Sequence, residues 1–378
     1  MVKMILFLTF FFFSLGQLGR VSFFNQQINF YFYELLMFFL LIFYFFKLKF
    51  SPFKKLWENN RWIFLGFGYL IFSFFLSFFK YLPFENLVSF LYLLRLFFYF
   101  VFFLYFYFYY QKKSKKEVIF CFIIFSFLTI ISSFIQFFLY PNLRNLAYLG
   151  WDVHQNRVFG LFFDTGLAAS AYGLFFLFWL NYNRRKYFYF LPPLFLSIYF
   201  TYSRFAIFSF FLTLFLFFLK NSSVKKFFFI FLIFIFLLFF FPQKSGVGVN
   251  FNRFFSIESR IKENILGIKM GLKNPFFGIG YNRIRFFRQK NNLIWKSDFN
   301  IYHAASSFQS TYVTIFVTSG ILGLLFFGKG LLELSKYNNH FFYLLLFIGI
   351  ISWADNLLLH PLVIFILGSA LTIFDKKQ

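Results

Sequence analysis

The chain has one cysteine, Cys121, set in an apolar run, so neither an internal disulfide nor a thiolate metal site is available. Acidic residues are scarce, with 12 Asp and Glu against 37 Lys and Arg. No carboxylate cluster of the kind that holds a divalent ion on a nucleotide sugar is visible. The phosphate-binding P-loop, the Gly-rich dinucleotide fingerprint, the serine-hydrolase elbow and H-E-x-x-H are all missing. His154, beside Trp151 and Asp152, is too isolated to make a metal site. The residues therefore call for no metal and no cofactor, and an activated donor would arrive already joined to lipid.

Apolar residues are abundant. The 378 residues are 61% hydrophobic and 30% aromatic, with 82 phenylalanines and a mean hydropathy of +0.72. Apolar runs recur too often for a signal peptide, and runs of about 17 to 25 residues suit a hydrocarbon core of roughly 30 Å. Because Phe and Leu insert about equally well, the Phe excess reads as compositional bias. The expected fold is all-α, a polytopic transmembrane helical bundle of about 12 spans. The runs lie near 4–18, 30–46, 62–79, 87–109, 118–139, 161–181, 187–201, 205–219, 227–241, 308–328, 341–355 and 358–374. A single membrane domain would comprise an N-terminal bundle at 1–241, a long loop at 242–307 and C-terminal spans at 308–378.

Positive charge is concentrated between spans. Lys47, Lys49, Lys54 and Lys55, then Lys112, Lys113, Lys115 and Lys116, follow even-numbered runs, as do Arg184, Arg185 and Lys186, and Lys220, Lys225 and Lys226. By the positive-inside rule both termini are cytoplasmic and the long loop is extracytoplasmic, since long loops escape the rule. The net charge of +25 is thus a matter of orientation and of anionic lipid headgroups, and nucleic acid is not an expected partner. No internal repeat is evident, which takes support from an inverted-repeat transporter.

Within the loop, Ser256 to Lys273 reads as an amphipathic helix that stops at Asn274-Pro275. Ile257, Ile261, Ile265, Ile268 and Leu272 share one face, Lys262, Lys269 and Lys273 lie opposite, and Arg260 lines up with Gly267 and Gly271 on a third. Another backbone or a ligand could approach that glycine face closely. Arg253, Arg283, Arg285 and Arg288 read as solvated charges or headgroup contacts.

Arg204 follows Ser203 in a very short turn, where its fork of donors would suit a diphosphate; an arginine that only snorkels fits the position too. His303 precedes the tenth run, and Ser307, Ser310, Thr311, Thr314 and Thr318 fall on its helical face. Such a stripe packs against another helix or lines a wet cavity, and a histidine there is a natural general base or a structural residue. Glu34 and Arg95 are ionisable at membrane depth, and their pairing to hold the bundle together is the favoured reading. Asp355, Asn356 and His360 mark the last turn, with reach into the outer site as the lesser reading.

Four stretches in order resemble the O-antigen ligase and O-antigen polymerase family of bacterial polytopic membrane glycosyltransferases. Arg157 to Ala169, with Gly160, Phe162 and Asp164, is similar to a weak signature of the family, although its usual Asn-Pro-Asn reads Asp164-Thr165-Gly166. Thr201-Tyr202-Ser203-Arg204 resembles its Ser-Arg turn. Ser259-Arg260, followed by Pro275 and Phe276-Phe277-Gly278-Ile279-Gly280, resembles its most specific motif, and Tyr312 to Gly323 resembles the next span. The resemblance covers residues 157–326.

It implies transfer of an oligosaccharide from an undecaprenyl diphosphate carrier to a glycan or glycolipid acceptor, at the outer face of the bacterial cytoplasmic (inner) membrane, without nucleotide or metal. Arg204 and Arg260 would hold the diphosphate, while Arg157, Ser203, Gly278 and Gly280 would bind substrate. Where family members often place histidine this chain has Gln309, so the catalytic role falls to His303 or Gln309. Glutamine can orient a hydroxyl but cannot accept its proton. A polymerase is favoured over a ligase because it needs no lipid A core. The alternative is a lipid-linked glycan flippase or other polysaccharide transporter.

Overall fold

The computed structural model describes residues 2–24, 26–182, 184–221, 223–240, 246, 249, 255–293 and 303–374, and they are mostly helical. The helices are α1 (Val2–Ser14), α2 (Phe32–Leu48), α3 (Ser51–Leu76), α4 (Pro83–Gln111), α5 (Lys116–Leu139), α6 (Thr165–Tyr182), α7 (Arg184–Tyr187), α8 (Leu191–Phe200), α9 (Arg204–Lys220), α10 (Val224–Phe240), α11 (Phe255–Gly271), α12 (Ile284–Lys290), α13 (Thr311–Lys336), α14 (Asn339–Ile351) and α15 (Pro361–Phe374).

Each of the twelve apolar runs coincides with a helix, but helix lengths differ from the expectation of twelve spans. Among the described residues, α4, α5 and α13 are the helices long and apolar enough to cross a membrane alone; α2 and α3, bent by 92°, pass the same test as a pair. The apolar helices α1, α14 and α15 are shorter. At 1.5 Å per residue, 13 residues reach about 20 Å, less than the roughly 30 Å of a hydrocarbon core.

The bundle is organised around α6, whose residues from Leu167 to Leu180 are all buried. A helix apolar on every side belongs in the interior. Its neighbours are α5, α8, α9, α14 and α15, and the indole of Trp179 donates to Ser126 Oγ (3.1 Å) to satisfy the one polar atom of that large side chain. Glu34 and Arg95 do pair: Arg95 Nε meets Glu34 Oε1 at 2.5 Å, and Tyr99 Oη donates to the same oxygen (2.7 Å).

The link between α1 and α2 folds as an antiparallel hairpin of β1 (Arg20–Phe23) and β2 (Ile28–Tyr31), with Arg20 opposite Tyr31 and Ser22 opposite Asn29. On the other side, α13 packs along α3 and carries α11 on its flank. Added Cβ atoms at Gly267 and Gly271 would strike Val313 and Phe316, so the glycine face of α11 is where it meets α13. Ile257, Ile261, Ile265, Ile268 and Leu272 remain 44% to 62% exposed.

The basic residues after α11 depart from the expectation of solvated charge. Arg283 is fully buried, donates to Phe74 O (3.0 Å) and Asn86 Oδ1 (2.5 Å), and lies over the Phe74 and Tyr81 rings. Arg288 is buried too, paired with Glu263 of α11 at 2.7 Å. Both are tolerated inside because Nη groups of each find oxygen partners, although Nε of each is buried without one among the described residues. Arg285 is half-buried, and Arg253 lies outside the described residues.

Candidate functional site

At one end of the bundle the start of α6, the start of α9, one face of α11 and the turn between α14 and α15 converge around a cavity of about 740 Å³. Its polar lining pairs three arginines, Arg157, Arg204 and Arg260, with three carboxylates, Asp152, Asp164 and Asp355. Ser203, Gln309, Gly166, Thr165, Tyr202 and the buried His154 also line it.

Local structure fixes each group. Gln136 of α5 accepts from Phe159 N (2.9 Å) and Gly160 N (3.0 Å) and donates to Arg157 O (3.2 Å), clamping the strand-like segment before α6. Arg157 is buried and its Nε donates to Thr201 O (2.8 Å), which ties that segment to the turn before α9. Tyr202 sits in the left-handed region (φ 50°), so the chain reverses sharply and Ser203 becomes the N-cap of α9, with Arg204 opening the helix. Asp164 Oδ1 accepts from Leu167 N (2.6 Å), the capping bond expected of an aspartate at a helix start.

Arg260 reaches across from α11. Its Nη1 donates to Ala354 O (2.7 Å) and meets Asp355 Oδ1 at 2.8 Å. Asp355 lies in the turn beyond α14, which ends at Ile351, as the sequence reading placed it. Thr311, at the start of α13, holds that turn through Leu357 N (3.0 Å) and Asp355 O (3.3 Å). The other carboxylate oxygen, Asp355 Oδ2, is buried without a hydrogen-bond partner among the described residues.

The missing side chain of Gly166 brings the acids together. A Cβ there would lie 3.2 Å from Asp355 Oδ2 and 3.3 Å from Asp164 Oδ1. Burial pushes the Asp355 carboxyl up to about 6, with Asp164 adding to the rise and Arg260 opposing it. Burial and then Asp164 raise Asp152 as well. Arg204 is within electrostatic reach of Arg260, so two guanidinium groups act on one another across this space.

Of the residues singled out from sequence, Arg157, Ser203, Arg204, Arg260 and Gln309 line this one cavity. Gly278 and Gly280 do not. They adopt left-handed backbone (φ 68° and 93°) where the 275–280 segment is stitched to α13, with Ile279 N donating to Val317 O (2.9 Å) and Gly280 N to Thr318 O (3.0 Å). Opposite them α13 breaks at Gly320 (φ 70°), where a Cβ would run into the Phe276 carbonyl. The backbone of His303 is part of a 3-10 turn, and its side chain lies outside the described residues.

The polar stripe is not one helical face. Because α13 begins only at Thr311, with Ser310 as its N-cap, Ser307 and His303 precede the helix. Ser310, Thr311, Thr314 and Thr318 are buried and bond to backbone carbonyls, so they pack rather than line water. From sequence, Asp355 marks a turn first and reaches the outer site only as the lesser reading, and Asp164 is named only as part of a motif. The departure from Asn-Pro-Asn was the available signal for Asp164, because it put a carboxylate at a helix start beside a glycine. Among the described residues, no group of three or more His, Cys, Asp or Glu side chains is arranged to hold a metal ion.

Residues 189–328 match the family model described as O-antigen ligase. The match covers under half of the chain, agrees with the resemblance read from the motifs, and contains Arg204, Arg260, Gly278, Gly280, His303 and Gln309. Arg157, Asp164 and Asp355 lie outside the matched stretch but inside the same cavity. No curated protein and no solved structure matches the chain.

Proposed function

We propose that this protein is a glycosyltransferase of the bacterial cytoplasmic membrane that transfers an undecaprenyl-diphosphate-linked oligosaccharide onto a glycan or glycolipid at the outer face, as a surface-polysaccharide polymerase in preference to a ligase. One observation carries the reading: Arg204 and Arg260 line a single cavity with the Asp355 carboxylate at its edge. In this reading residues 242–307 are the extracytoplasmic segment between the 1–241 and 308–378 parts of one membrane domain.

An oxygen of the acceptor sugar attacks the anomeric carbon of the donor, and the new C–O bond forms as the bond from that carbon to the phosphate oxygen breaks. The electron pair leaves with undecaprenyl diphosphate. Arg204 and Arg260 hold the diphosphate and meet its growing charge with fixed donors, worth several kcal/mol in a poorly hydrated site. Asp355 takes the hydroxyl proton. Its second oxygen has no hydrogen-bond partner among the described residues, and a carboxyl pushed up to about 6 is still ionised at neutral pH while being a better base than an exposed aspartate. Gln309 orients the acceptor hydroxyl, which removes the need for histidine at that position. Protons then leave Asp355 to solvent through the open cavity.

The deciding experiment is in vitro. Purified full-length protein is given a synthetic polyprenyl-diphosphate oligosaccharide, and formation of a new glycosidic bond is followed by mass. Lipid-linked product of increased glycan length supports the reading. Movement of the lipid across a vesicle bilayer with no new bond would replace it with the transporter reading.

A further inference from the structure

A second cavity, of about 270 Å³, opens on the same end of the bundle. Its wall is drawn from five places: Gln17 after α1, Arg20, Asn29 and Tyr31 of the hairpin, Tyr92 and Arg95 of α4, Trp151, and His360 at the start of α15. The hairpin explains why distant residues meet here, because pairing of Arg20 with Tyr31 turns the chain back over α1 and α4. We infer that this cavity is a glycan subsite that holds the sugar of the acceptor, next to the site at which the donor reacts. The inference rests on the glycosyl-transfer reading of the first cavity and adds to it the place of the second substrate.

The chemistry of the wall differs from that of the first cavity. Its aromatic members, Tyr31, Tyr92 and Trp151, offer apolar ring surface with a polar edge, and Gln17 and Asn29 offer planar amides. A pyranose needs that combination, since it presents C–H faces and a rim of hydroxyls. A diphosphate does not, and of the two guanidinium groups in the wall Arg95 is neutralised by Glu34 at 2.5 Å while Arg20 lies over the Trp151 ring and donates to Gln26 Oε1 (3.2 Å).

The groups are held in place by one another. Tyr31 Oη donates to Gln17 Oε1 (2.9 Å), Asn29 Nδ2 donates to Tyr92 Oη (3.2 Å), and Arg20 lies 4.9 Å from the centre of the Trp151 ring. Fixed donors and acceptors of this kind lower the cost of ordering the site when a ligand arrives. One donor remains: Arg95 Nη2 is buried and has no hydrogen-bond partner among the described residues. A sugar hydroxyl oxygen within reach would satisfy it, and an orphaned buried donor is a standing cost until something does.

The two cavities share a wall. Trp151 lines one and its neighbour Asp152 the other; Phe162 and Leu167 bracket the Asp164, Thr165 and Gly166 of the first; His360 belongs to the same turn as Asp355. His360 and Asp164 are also within electrostatic reach of each other. A sugar seated against Trp151 and Tyr92 would thus lie across that shared wall from Asp164 and Asp355.

The test uses full-length protein in lipid nanodiscs, a synthetic polyprenyl-diphosphate oligosaccharide as donor, and as acceptor the repeat oligosaccharide released by mild acid from the host's own lipid-linked glycan. The variants are Trp151→Ala and the conservative Tyr92→Phe, each checked for an unchanged melting profile. Roughly a tenfold rise in acceptor KM for Trp151→Ala, and a smaller one for Tyr92→Phe, is expected, with donor KM and kcat unchanged. Donor KM rising with acceptor KM unaltered, or no change in either, overturns the inference while leaving transfer itself intact. If wild-type protein transfers nothing, the glycosyl-transfer reading fails instead. Saturation-transfer NMR of the free oligosaccharide then tests the subsite by itself: contact signals lost in Trp151→Ala support it, and equal signals in wild type and variant, or none, reject it.

Discussion

Arg260 and Asp355 meet at 2.8 Å although 94 residues separate them, and their contact ties the helix of the long loop to the last turn of the bundle. Nothing in local sequence announces this pair, yet it sets the geometry on which the proposed chemistry depends.

The arginines should be separable from folding. Arg260→Ala and Arg204→Ala should each leave the protein inserted and monodisperse but lower kcat/KM for the lipid-diphosphate donor by about 10²- to 10³-fold, as loss of a transition-state donor does. Lysine at either position should recover little, because a point charge does not reproduce the fork. Normal glycan length on a gel from cells with Arg260→Ala as the sole copy would refute the diphosphate role.

Transfer should fall with acidity. The carboxylate of Asp355 is the active form and burial pushes its carboxyl up to about 6, so protonation removes the base as pH drops through that value. Activity is expected on a plateau above pH 7 and about tenfold lower at pH 5. Asp355→Asn should reduce kcat at every pH and erase the acid limb; a limb that persists in this variant would assign it to another group.

Gln309 and Asp355 share the cavity, which makes an exchange of roles testable. Introducing an imidazole through Gln309→His in the Asp355→Asn background should restore part of the lost kcat, with the new acid limb near the ordinary histidine value of about 6.5. Equal rates in the double and single variants would count against a proton-accepting role at this corner of the cavity.

The 275–280 segment makes a stability prediction. Gly278→Ala and Gly320→Ala place a Cβ in left-handed backbone against carbonyls of the facing segment, so both should lower thermal stability and the yield of folded protein, by about 1–3 kcal/mol each. Gly328→Ala, where a Cβ meets nothing within 4 Å, is the control and should be neutral or slightly stabilising. Wild-type melting of Gly278→Ala with donor KM raised would instead give this glycine a substrate contact.

Helix positions were legible because each apolar run needs a helix to satisfy its backbone away from water. Helix ends were less so. A helical turn opens at Ser51 with Pro52 in its first positions, where the sequence suggests a loop; the helix then breaks at Asn60 (φ −152°), and the run near 62–79 follows that break. The Glu34–Arg95 pair could be anticipated since two opposite charges in an apolar setting seek each other. Arg204 and Arg260 were found through motif and helical face. Asp355 was not, because a carboxylate in a turn looks the same on paper whether it meets water or a guanidinium brought in by a helix 90 residues earlier. The burial of Arg283 was hidden for the same reason, as its partners Phe74 and Asn86 lie some 200 positions upstream.

Ile261, Ile265 and Ile268 of α11, with Leu272 just beyond its end, are left bare by the protein. In a bilayer that row becomes a keel set among acyl chains, as for helices that lie flat in the headgroup layer. The helix bearing Arg260 then floats at a height fixed by lipid on one side and by α13 on the other. Membrane thickness and headgroup composition thereby become determinants of how firmly that guanidinium is pressed toward Asp355, and the same polypeptide in detergent micelles and in native lipid should turn over at different rates.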